Sequence, residues 1–400
     1  MRIGIYGGTF DPPHQGHLNS ARMAMEALQL DKLLFLPAAV PPHKTVPEDS
    51  PSAEHRLNML KIAVDSLLLQ DRAAVCDLEL HRKGKSYTSD TLRCLKARFP
   101  DDELWLLMGT DMFLTLQEWH EPEVICQLAH LGTFARSRSD DMDRLREQER
   151  YLEHTYGASA QVIDLEEITP VSSTQLRAEL AAGEPGPGLP VPVYGYILRT
   201  NLYGKYPDLK NLTVDQLRAC SYSMMKAKRH AHVGGVEAEA IRLATRWGAD
   251  VELARRAAIL HDCTKYYTLE EDLAVCARFG VQLDELEKVS VKLLHSKTGA
   301  CMAKYVYGQC DEIYDAIFWH TTGKADMNLL EKVIYLADYI EPNRDFAGLE
   351  ELRKLCYEDL DAGLELGLSM SVKELQGYGV PVHPNTQAAL EWQRSLRKGT

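Results

Sequence analysis

IGIYGGTFDPPHQGH, residues 3–17, decides the fold of the first half of the chain. Ile3–Tyr6 is a short apolar run that predicts a strand, and the glycines and prolines after it predict a turn. Apolar periodicity from about His17 to Leu28 predicts a helix directly behind the turn. This order places free N–H groups of a helix start beside the turn, where they favour an anion such as phosphate.

The same alternation of short apolar runs with helical patterns continues through the first two hundred residues. Further strands and helices are predicted, in chain order, at 33–37 (strand), 56–67 (helix), 74–76 (strand), 89–99 (helix) and 104–108 (strand). Strands that alternate with helices of this length predict right-handed crossovers and a parallel sheet covered on both faces. The fold class of the first unit is therefore α/β.

After Leu212 the strand patterns end and the second half of the chain predicts an all-α unit. The predicted helices are 214–228, 236–247, 251–260, 269–279, 298–307, 329–337 and 349–368. The Gly- and Pro-rich stretch 182–192 reads as a loop within the first unit, because Val193–Leu202 still resembles a packed segment. The boundary is expected near Lys205–Lys210, which gives predicted domains of 1–205 and 206–400.

Length and composition limit the possible classes of protein. A chain of 400 residues with 45% hydrophobic and 26% charged residues predicts two or three ordinary globular domains. A net charge of -13 argues against a nucleic-acid partner. The nine cysteines are scattered without C-x-x-C spacing, which is typical of reduced thiols in a cytoplasmic protein. No signal peptide and no membrane span are expected, since no apolar run approaches about 18 residues.

His14 and His17 flank the predicted start of the first helix. They are three residues apart around a glycine, so both imidazoles can point at one anion. The alternative is a Gly-Pro turn with incidental histidines, but this does not explain why two hydrogen-bond donors flank the helix start.

The stretch His14-Gln15-Gly16-His17 resembles the His-x-Gly-His signature of the nucleotidyltransferase superfamily. Further motifs resemble bacterial nicotinate mononucleotide adenylyltransferases, namely PPHK at 41–44, YTSDTL at 87–92, MGTD at 108–111 and VSSTQLR at 171–177. The resemblance spans about residues 1–205. It departs from the family at Val171 and Leu176, where isoleucine is commoner.

The resemblance implies transfer of an adenylyl group from ATP, with a Rossmann-like fold. The implied catalytic residues are His14, His17, Lys44 and Arg177. The implied ATP-binding residues are Gly7, Gly8, Thr9, Phe10, His14, His17, Gly109, Asp111, Ser173, Thr174 and Arg177. Mg²⁺ would accompany ATP and keep most of its waters, so no carboxylate cage is expected.

The acceptor implied by the resemblance is nicotinate mononucleotide. Its implied binding residues are Thr9, Phe10, Tyr87, Thr88 and Trp119. Trp119 is also compatible with a core position, and Asp111 with a helix cap. Nicotinamide mononucleotide and phosphopantetheine are the alternative acceptors.

In the helical half, the stretch AILHDCTK, residues 258–265, ends an apolar run in a histidine and an aspartate. Alone, His261 and Asp262 are compatible with a structural helix end. Together with His232 and Asp338 they form a set of imidazoles and carboxylates suited to a catalytic divalent metal.

This set resembles the HD superfamily of metal-dependent phosphohydrolases. Residues 229–232, 294–296, 316–323 and 330–345 resemble the bacterial family that splits diadenosine tetraphosphate symmetrically into two ADP. The resemblance covers about residues 211–385. It implies iron as the metal, whereas the residues alone allow other divalent transition metals. Cys263 and Thr264 depart from the family pattern, and a buried inert thiol is the expected state of Cys263.

The resemblance also implies a nucleotide site around the metal. The implied nucleotide-binding residues are Arg229, His295, His320, Thr321, Arg344 and Asp345. His295 and His320 either contact phosphate or complete a second metal position. A surface ion pair is the alternative for Arg344 and Asp345.

The sequence therefore predicts a bifunctional cytoplasmic enzyme. It would make nicotinate adenine dinucleotide for NAD synthesis and hydrolyse diadenosine tetraphosphate. In the alternative hypotheses the second unit hydrolyses another nucleotide, or is a nucleotide-sensing regulatory or structural module. The expected partners are these small nucleotides, with a homo-oligomer as a further possibility.

Overall fold

The computed structural model describes residues 1–40, 50–82, 84–135, 142–164 and 171–398. Contacts within the chain divide it into two compact units, Met1–Tyr206 and Pro207–Thr400. The first unit is α/β and the second is helical, which confirms the predicted fold class.

The first unit is built on a six-stranded sheet in the order β3-β2-β1-β4-β5-β6. Every neighbouring pair of strands is parallel. The strands are β1 (Arg2–Gly8), β2 (Lys32–Pro37), β3 (Ala73–Val75), β4 (Glu103–Gly109), β5 (His130–Ala135) and β6 (Ala160–Asp164).

The strand order changes direction between β1 and β4. In an open parallel sheet, ligands bind in the crevice outside the carboxyl ends of the strands at such a reversal. All residues of β4 after Glu103 are buried, so both faces of the sheet are covered, as the uninterrupted apolar run predicts. The fold therefore places a ligand crevice beyond Gly8 and Gly109.

Eight helices belong to the first unit in the part of the chain that is described. They are α1 (Gln15–Ala27), α2 (Ala53–Asp65), α3 (Thr88–Arg98), α4 (Thr110–Leu114), α5 (Pro122–Leu128), α6 (Met142–Tyr156), α7 (Ser173–Ala181) and α8 (Val191–Thr200). Serine caps start two of them: Ser52 accepts a hydrogen bond from the N–H of His55 in α2, and Ser172 from that of Gln175 in α7.

Ten helices form the described part of the second unit. They are α9 (Val214–Tyr222), α10 (His230–Trp247), α11 (Val251–Leu260), α12 (Leu269–Phe279), α13 (Val291–Cys301), α14 (Asp311–Trp319), α15 (Leu329–Ile340), α16 (Leu349–Glu358), α17 (Leu360–Gly377) and α18 (Pro384–Lys398). Reciprocal side-chain caps at Thr213, Thr268 and Asn328 start α9, α12 and α15. Among the described helices, none combines the length and the apolar character needed to cross a membrane.

Several helix predictions are wrong in their bounds: α9 ends at Tyr222 rather than at 228, and the helix predicted at 298–307 begins at Val291 and ends at Cys301. Two further differences have local reasons. The predicted helix 349–368 is two helices, because Asp359 adopts an extended conformation and accepts a hydrogen bond from the N–H of Ala362 at the start of α17. Helix α10 begins six residues before the predicted Val236. Gly235 lies inside this helix and does not break it. The position requires a glycine for packing, because a Cβ there would clash with the carboxylate of Glu341.

The packing of the second unit brings five helices together. Helix α10 packs against α11 and α15, and α14 packs against α11, α13 and α15. Each of these five helices carries, or ends immediately before, a histidine or aspartate predicted to bind metal or nucleotide.

Candidate functional site

The crevice of the first unit is bordered by predicted ATP-binding residues from two strands. Gly8 ends β1, and Gly109 ends β4 as the residue before α4. The loop from Thr9 to His14 joins β1 to α1, so the glycine-rich turn lies at the strand reversal. Lys44 lies within residues 41–49, outside the described part of the chain.

His14 and His17 lie together at the start of α1. Their rings stack with centroids 3.7 Å apart and an interplanar angle of 27°. The backbone N–H of His14 donates to Nδ1 of His17 at 3.2 Å, so neutral His17 carries its proton on Nε2. A Cβ at Gly16 would lie 3.0 Å from the ring of His14, which explains the glycine between the histidines.

Helix α7 brings a second helix start to the same loop. Its first residue, Ser173, donates from Oγ to the carbonyl of Pro12 at 3.2 Å. Arg177 donates to the carbonyl of Asp11 at 2.7 Å and to Oγ1 of Thr174 at 3.2 Å. The structure thus brings α7 and the β1–α1 loop together, although 166 residues separate Arg177 from Asp11.

The predicted acceptor residues differ in exposure. Phe10 is 2% exposed and its ring lies 5.1 Å from the ring of His17, so its side chain packs against the histidine. Trp119 is half-buried and packs against the hydrophobic core of the sheet. Thr9, beside Phe10, is half-buried.

Asp111 is exposed and is the second residue of α4, whose cap is Gly109, so the helix-cap alternative for Asp111 is wrong. Tyr87 and Thr88 are half-buried at the start of α3. The ring of His120 lies 4.3 Å from the ring of Tyr87. His120 belongs to none of the predicted motifs. The one sequence feature that could have indicated it is its position directly after Trp119.

In the second unit, the structure brings all four predicted metal ligands into one cluster together with two further histidines. Three overlapping groups have ligand atoms within 4.8 Å of one another. The members of the cluster are His232, His261, Asp262, His295, His320 and Asp338. All are buried except Asp338, which is half-buried.

Hydrogen bonds fix the histidine rings so that their Nε2 atoms converge. Nδ1 of His261 lies 2.6 Å from the carbonyl of Ala258, and Nδ1 of His320 lies 2.7 Å from that of Ile317. A carbonyl only accepts, so Nδ1 carries the proton and Nε2 presents a lone pair. Nε2 of His261 lies 3.4 Å from Nε2 of His232.

Lone pairs at this separation repel each other unless a proton or a cation lies between them. Buried imidazoles with Nδ1 held by an acceptor are the usual form of metal-binding histidine. The donor set therefore fits a divalent transition metal.

Asp262 is shared between two halves of the cluster. Its Oδ2 lies 3.6 Å from Nε2 of His261 and 3.8 Å from Nε2 of His232. Its Oδ1 lies 3.2 Å from Nε2 of His295 and 3.9 Å from Nε2 of His320. One carboxylate thus faces two separate imidazole pairs.

Burial sets the protonation of the cluster. Desolvation lowers the pKa of His261 and holds the pKa of His320 well below its ordinary value, so both rings are neutral near pH 7. Burial opposes ionisation of Asp262, yet the neighbouring imidazoles of His261 and His295, together with Lys265, hold its pKa well below the usual range. Neutral imidazoles and an ionised carboxylate are the protonation states that bind metal.

Cationic side chains surround the cluster. Arg229 donates from Nε to Oδ2 of Asp262 at 2.6 Å, and Arg344 donates to Oδ1 of Asp338 at 2.9 Å. Lys265 lies 2.9 Å from Nε2 of His295. Thr321 lies 3.3 Å from the same nitrogen, whereas Asp345 is exposed.

Glu341 is a functional residue that the sequence reasoning missed. It is 1% exposed, and its Oε1 accepts a hydrogen bond from Nδ1 of His232 at 3.1 Å. A carboxylate in this position orients the ring and increases its basicity. Its position three residues after Asp338 could have indicated Glu341, because residues three apart lie on the same face at the end of a helix.

Asp284, Glu287 and His383 form another group with metal-ligand residue types. Here the backbone N–H of Asn385 donates to Nδ1 of His383, and Nε2 of His383 lies 2.8 Å from Oδ2 of Asp284. Lys297 lies 3.5 Å from Glu287. A lysine already lies against this group and Asp284 is exposed, so we assign the metal to the larger, buried cluster.

Comparisons with known families agree with this division of the chain. Residues 5–179 match the cytidylyltransferase-like family, and residues 229–343 match the HD domain. Fold and site thus define a nucleotidyltransferase-type unit joined to an HD-type unit.

Relatives of the first unit are more specific. A probable nicotinate-nucleotide adenylyltransferase of Shouchella clausii is 39% identical over 210 residues, covering 51% of this chain and 97% of that protein. One of Exiguobacterium sibiricum is 40% identical over 204 residues, covering 51% and 99%. Through its first unit, the chain belongs to the nicotinate-nucleotide adenylyltransferase family.

One solved structure resembles the second unit. It is a Clostridium acetobutylicum protein described as a predicted HD superfamily hydrolase involved in NAD metabolism. It is 36% identical, with a TM-score of 0.45, and the match covers 46% of this chain and 98% of that protein.

Proposed function

We propose that the first unit transfers the adenylyl group of ATP to nicotinate mononucleotide and releases pyrophosphate. The observation that carries this proposal is the pair of stacked histidines at the strand reversal, in a chain whose first unit is about 40% identical to probable nicotinate-nucleotide adenylyltransferases.

In this reaction a phosphate oxygen of the acceptor attacks the α-phosphorus of ATP, and the bond to the β-phosphate oxygen breaks. His17 donates from Nε2 to a phosphate oxygen, since its Nδ1 accepts from His14. Arg177 and the N–H groups of the α1 and α7 starts stabilise the departing pyrophosphate. Lys44 is the further proposed cation. Mg²⁺ enters with ATP as part of the substrate.

An assay of pyrophosphate release by the full chain tests the first activity. Nicotinate mononucleotide, nicotinamide mononucleotide and phosphopantetheine are compared as acceptors with Mg-ATP. We expect the highest kcat/KM for nicotinate mononucleotide. A higher value for either of the other acceptors would replace the proposed substrate.

We propose that the second unit is a metal-dependent phosphohydrolase that splits diadenosine tetraphosphate into two ADP. The observation that carries this proposal is the convergence of buried neutral imidazoles on Asp262. Bound metal, with iron as the proposed ion, supplies Lewis acidity and makes water nucleophilic near neutral pH. The sharing of Asp262 between two imidazole pairs supports two ions in the cluster.

The residues around the cluster have separable roles in this proposal. Arg229, Arg344 and Lys265 neutralise and hold the polyphosphate, because they are the cations that lie against the cluster. His232 is held in place by Glu341. Thr321 and exposed Asp345 are proposed to contact the nucleotide beyond the phosphates.

The second activity is tested with the full chain and its His261→Ala variant. Each is incubated with diadenosine tetraphosphate and, separately, with a panel of mononucleotides and other dinucleotides. We expect metal-dependent release of two ADP per tetraphosphate by the parent chain alone. Faster hydrolysis of another nucleotide would change the substrate, and binding without hydrolysis would favour the sensing module.

A further inference from the structure

Asp11 is a buried carboxylate in the loop between β1 and α1, beside the histidines but outside the proposed roles. It is 3% exposed. Tyr203 donates its hydroxyl to Oδ1 of Asp11 at 2.6 Å, and Ser50 donates to Oδ2 at 2.6 Å. Both carboxylate oxygens thus accept short hydrogen bonds from hydroxyl groups.

The backbone of the same loop is held by two arginines. Arg56, which is 2% exposed, donates to the carbonyl of Thr9 at 2.8 Å, and Arg177 donates to the carbonyl of Asp11 at 2.7 Å. Side chains from four separate segments therefore fix the position of this loop. Three of these contacts are made to Asp11.

Tyr203 follows α8 and lies three residues before the end of the first unit. Its backbone has a φ of 66°, and that of Asn201, which ends α8, has a φ of 53°, so two non-glycine residues adopt the left-handed conformation here. Such conformations persist where surrounding contacts fix them, and they are frequent at functional sites.

The hydroxyl of Tyr203 is a permanent donor. Burial and the neighbouring carboxylate of Asp11 raise the pKa of this hydroxyl, so it keeps its proton throughout the physiological range. Among the described residues, the other hydrogen-bond contact of this hydroxyl is to the sulfur of Met59 at 4.0 Å, a weak acceptor. The hydrogen bond to Asp11 is thus the main polar contact of the Tyr203 hydroxyl.

We infer that Tyr203 is a positioning residue for adenylyl transfer, acting through Asp11 on the loop that carries Thr9 to His14. This inference rests on the proposed function of the first unit. Without the hydroxyl, one oxygen of a buried carboxylate loses its donor, and the loop must shift to admit water. A displacement of about 1 Å in a phosphate-positioning group lowers rates by up to about a hundredfold.

The test compares Tyr203→Phe with Tyr206→Phe in the full chain. Tyr206 is a matched control, because its hydroxyl is also part-buried and donates to a carbonyl, that of Leu180, at 3.2 Å, without touching the loop. We expect Tyr203→Phe to lower kcat about tenfold or more, while the KM for nicotinate mononucleotide changes less than about threefold. Tyr206→Phe should leave kcat unchanged, whatever its effect on the unfolding temperature.

A double-mutant cycle separates positioning from general loss of stability. If Tyr203 acts through Asp11, the variant with both Asp11→Asn and Tyr203→Phe is no slower than Asp11→Asn alone. The pair Asp11→Asn and Tyr206→Phe should instead show additive effects. Additivity for Tyr203 and Asp11, or equal kcat losses in both tyrosine variants, would overturn the positioning role.

The proposed function and this inference fail in different ways. A parent chain that releases no pyrophosphate from Mg-ATP with nicotinate mononucleotide overturns the proposed function, and the inference with it. An active parent chain together with an equally active Tyr203→Phe variant overturns the inference alone. Asp11→Asn probes the same contact from the other side should Tyr203→Phe not fold.

Discussion

The two candidate sites of this chain differ in what holds their functional groups. In the first unit, the predicted phosphate-binding groups lie on the loop after β1 and at the starts of helices, and hydrogen bonds from distant segments fix the loop. In the second, buried side chains on helices form the cluster, and lone pairs of neighbouring histidines face each other at 3.4 Å. We therefore expect the first site to tolerate the departure of its ligand, and the cluster to depend on a bound cation for its stability.

The strongest test of this contrast removes the shared carboxylate. We expect Asp262→Ala to lower hydrolysis by more than about a thousandfold, because water loses its activation by metal. Adenylyl transfer should stay within about twofold of the parent chain. Metal per chain, measured by elemental analysis, should fall together with hydrolysis. Asp284→Asn is the matched control, since it alters an Asp–His pair of the same unit that lies outside the six-residue cluster.

The reciprocal change is made in the first site. His17→Ala should lower kcat for adenylyl transfer about a hundred- to a thousandfold, the usual cost of losing one donor to a developing charge. Metal content and hydrolysis should not change. His55→Ala, which removes an imidazole bonded to Tyr196 in the same unit, should keep its transferase rate. Equal losses in both variants would contradict the role of His17.

Chelation sharpens the difference in stability. Removing a metal present at about a hundred times its Kd costs about 3 kcal/mol. For a unit of about 200 residues this is a fall of roughly 6–12 °C in Tm. Amide hydrogen exchange measured during heating reports the unfolding of each unit separately. We expect chelation to lower the Tm of the second unit and to leave that of the first unit unchanged. An equal fall in both units would show that the stability of the cluster depends on metal no more than that of the first site.

The smallest effect is a pH dependence beside the cluster. Burial raises the pKa of Asp272 to about 6, although Thr298 donates to it at 2.8 Å. The folded state therefore binds this proton more tightly than the unfolded state, and its contribution to stability is lost as pH rises from about 4 to about 6. Asp272→Asn should remove up to about 3 kcal/mol of this dependence.

The measurement is the free energy of unfolding of α12 and α13, by amide exchange, between about pH 4 and pH 8. The variant's free energy of unfolding should increase relative to that of the parent chain as pH rises. The difference between the two should stay constant above about pH 7. A difference that does not vary with pH would contradict the raised pKa.

The sequence predicts those parts of the molecule that depend on local pattern. The parallel sheet follows from buried runs such as Leu104–Met108, and the cluster follows from residue types at His232, His261, Asp262 and Asp338 in recognisable motifs. Helix α11 has the predicted bounds because Asp250 caps its first turn.

What the sequence does not predict depends on pairs that meet only in three dimensions. Tyr203 and Asp11 are 192 residues apart, and each alone is an ordinary polar residue. Gly235 looks like a helix breaker until the carboxylate of Glu341 is seen against it. Cys263, a departure from the family pattern, is fully buried, in keeping with the expected inert thiol.

The strand reversal between β1 and β4 bears on how an enzyme of this kind diversifies. Groups proposed to hold the triphosphate lie at the ends of β1 and at α7, whereas Tyr87 and Trp119, proposed for the acceptor, lie on other segments. Tyr87 and Trp119 are half-buried and lie outside the strands, so we expect the strands to be kept when these segments are exchanged. We therefore expect that grafting the segments around Tyr87 and Trp119 from a relative would alter the accepted molecule while the choice of ATP as donor is inherited unchanged.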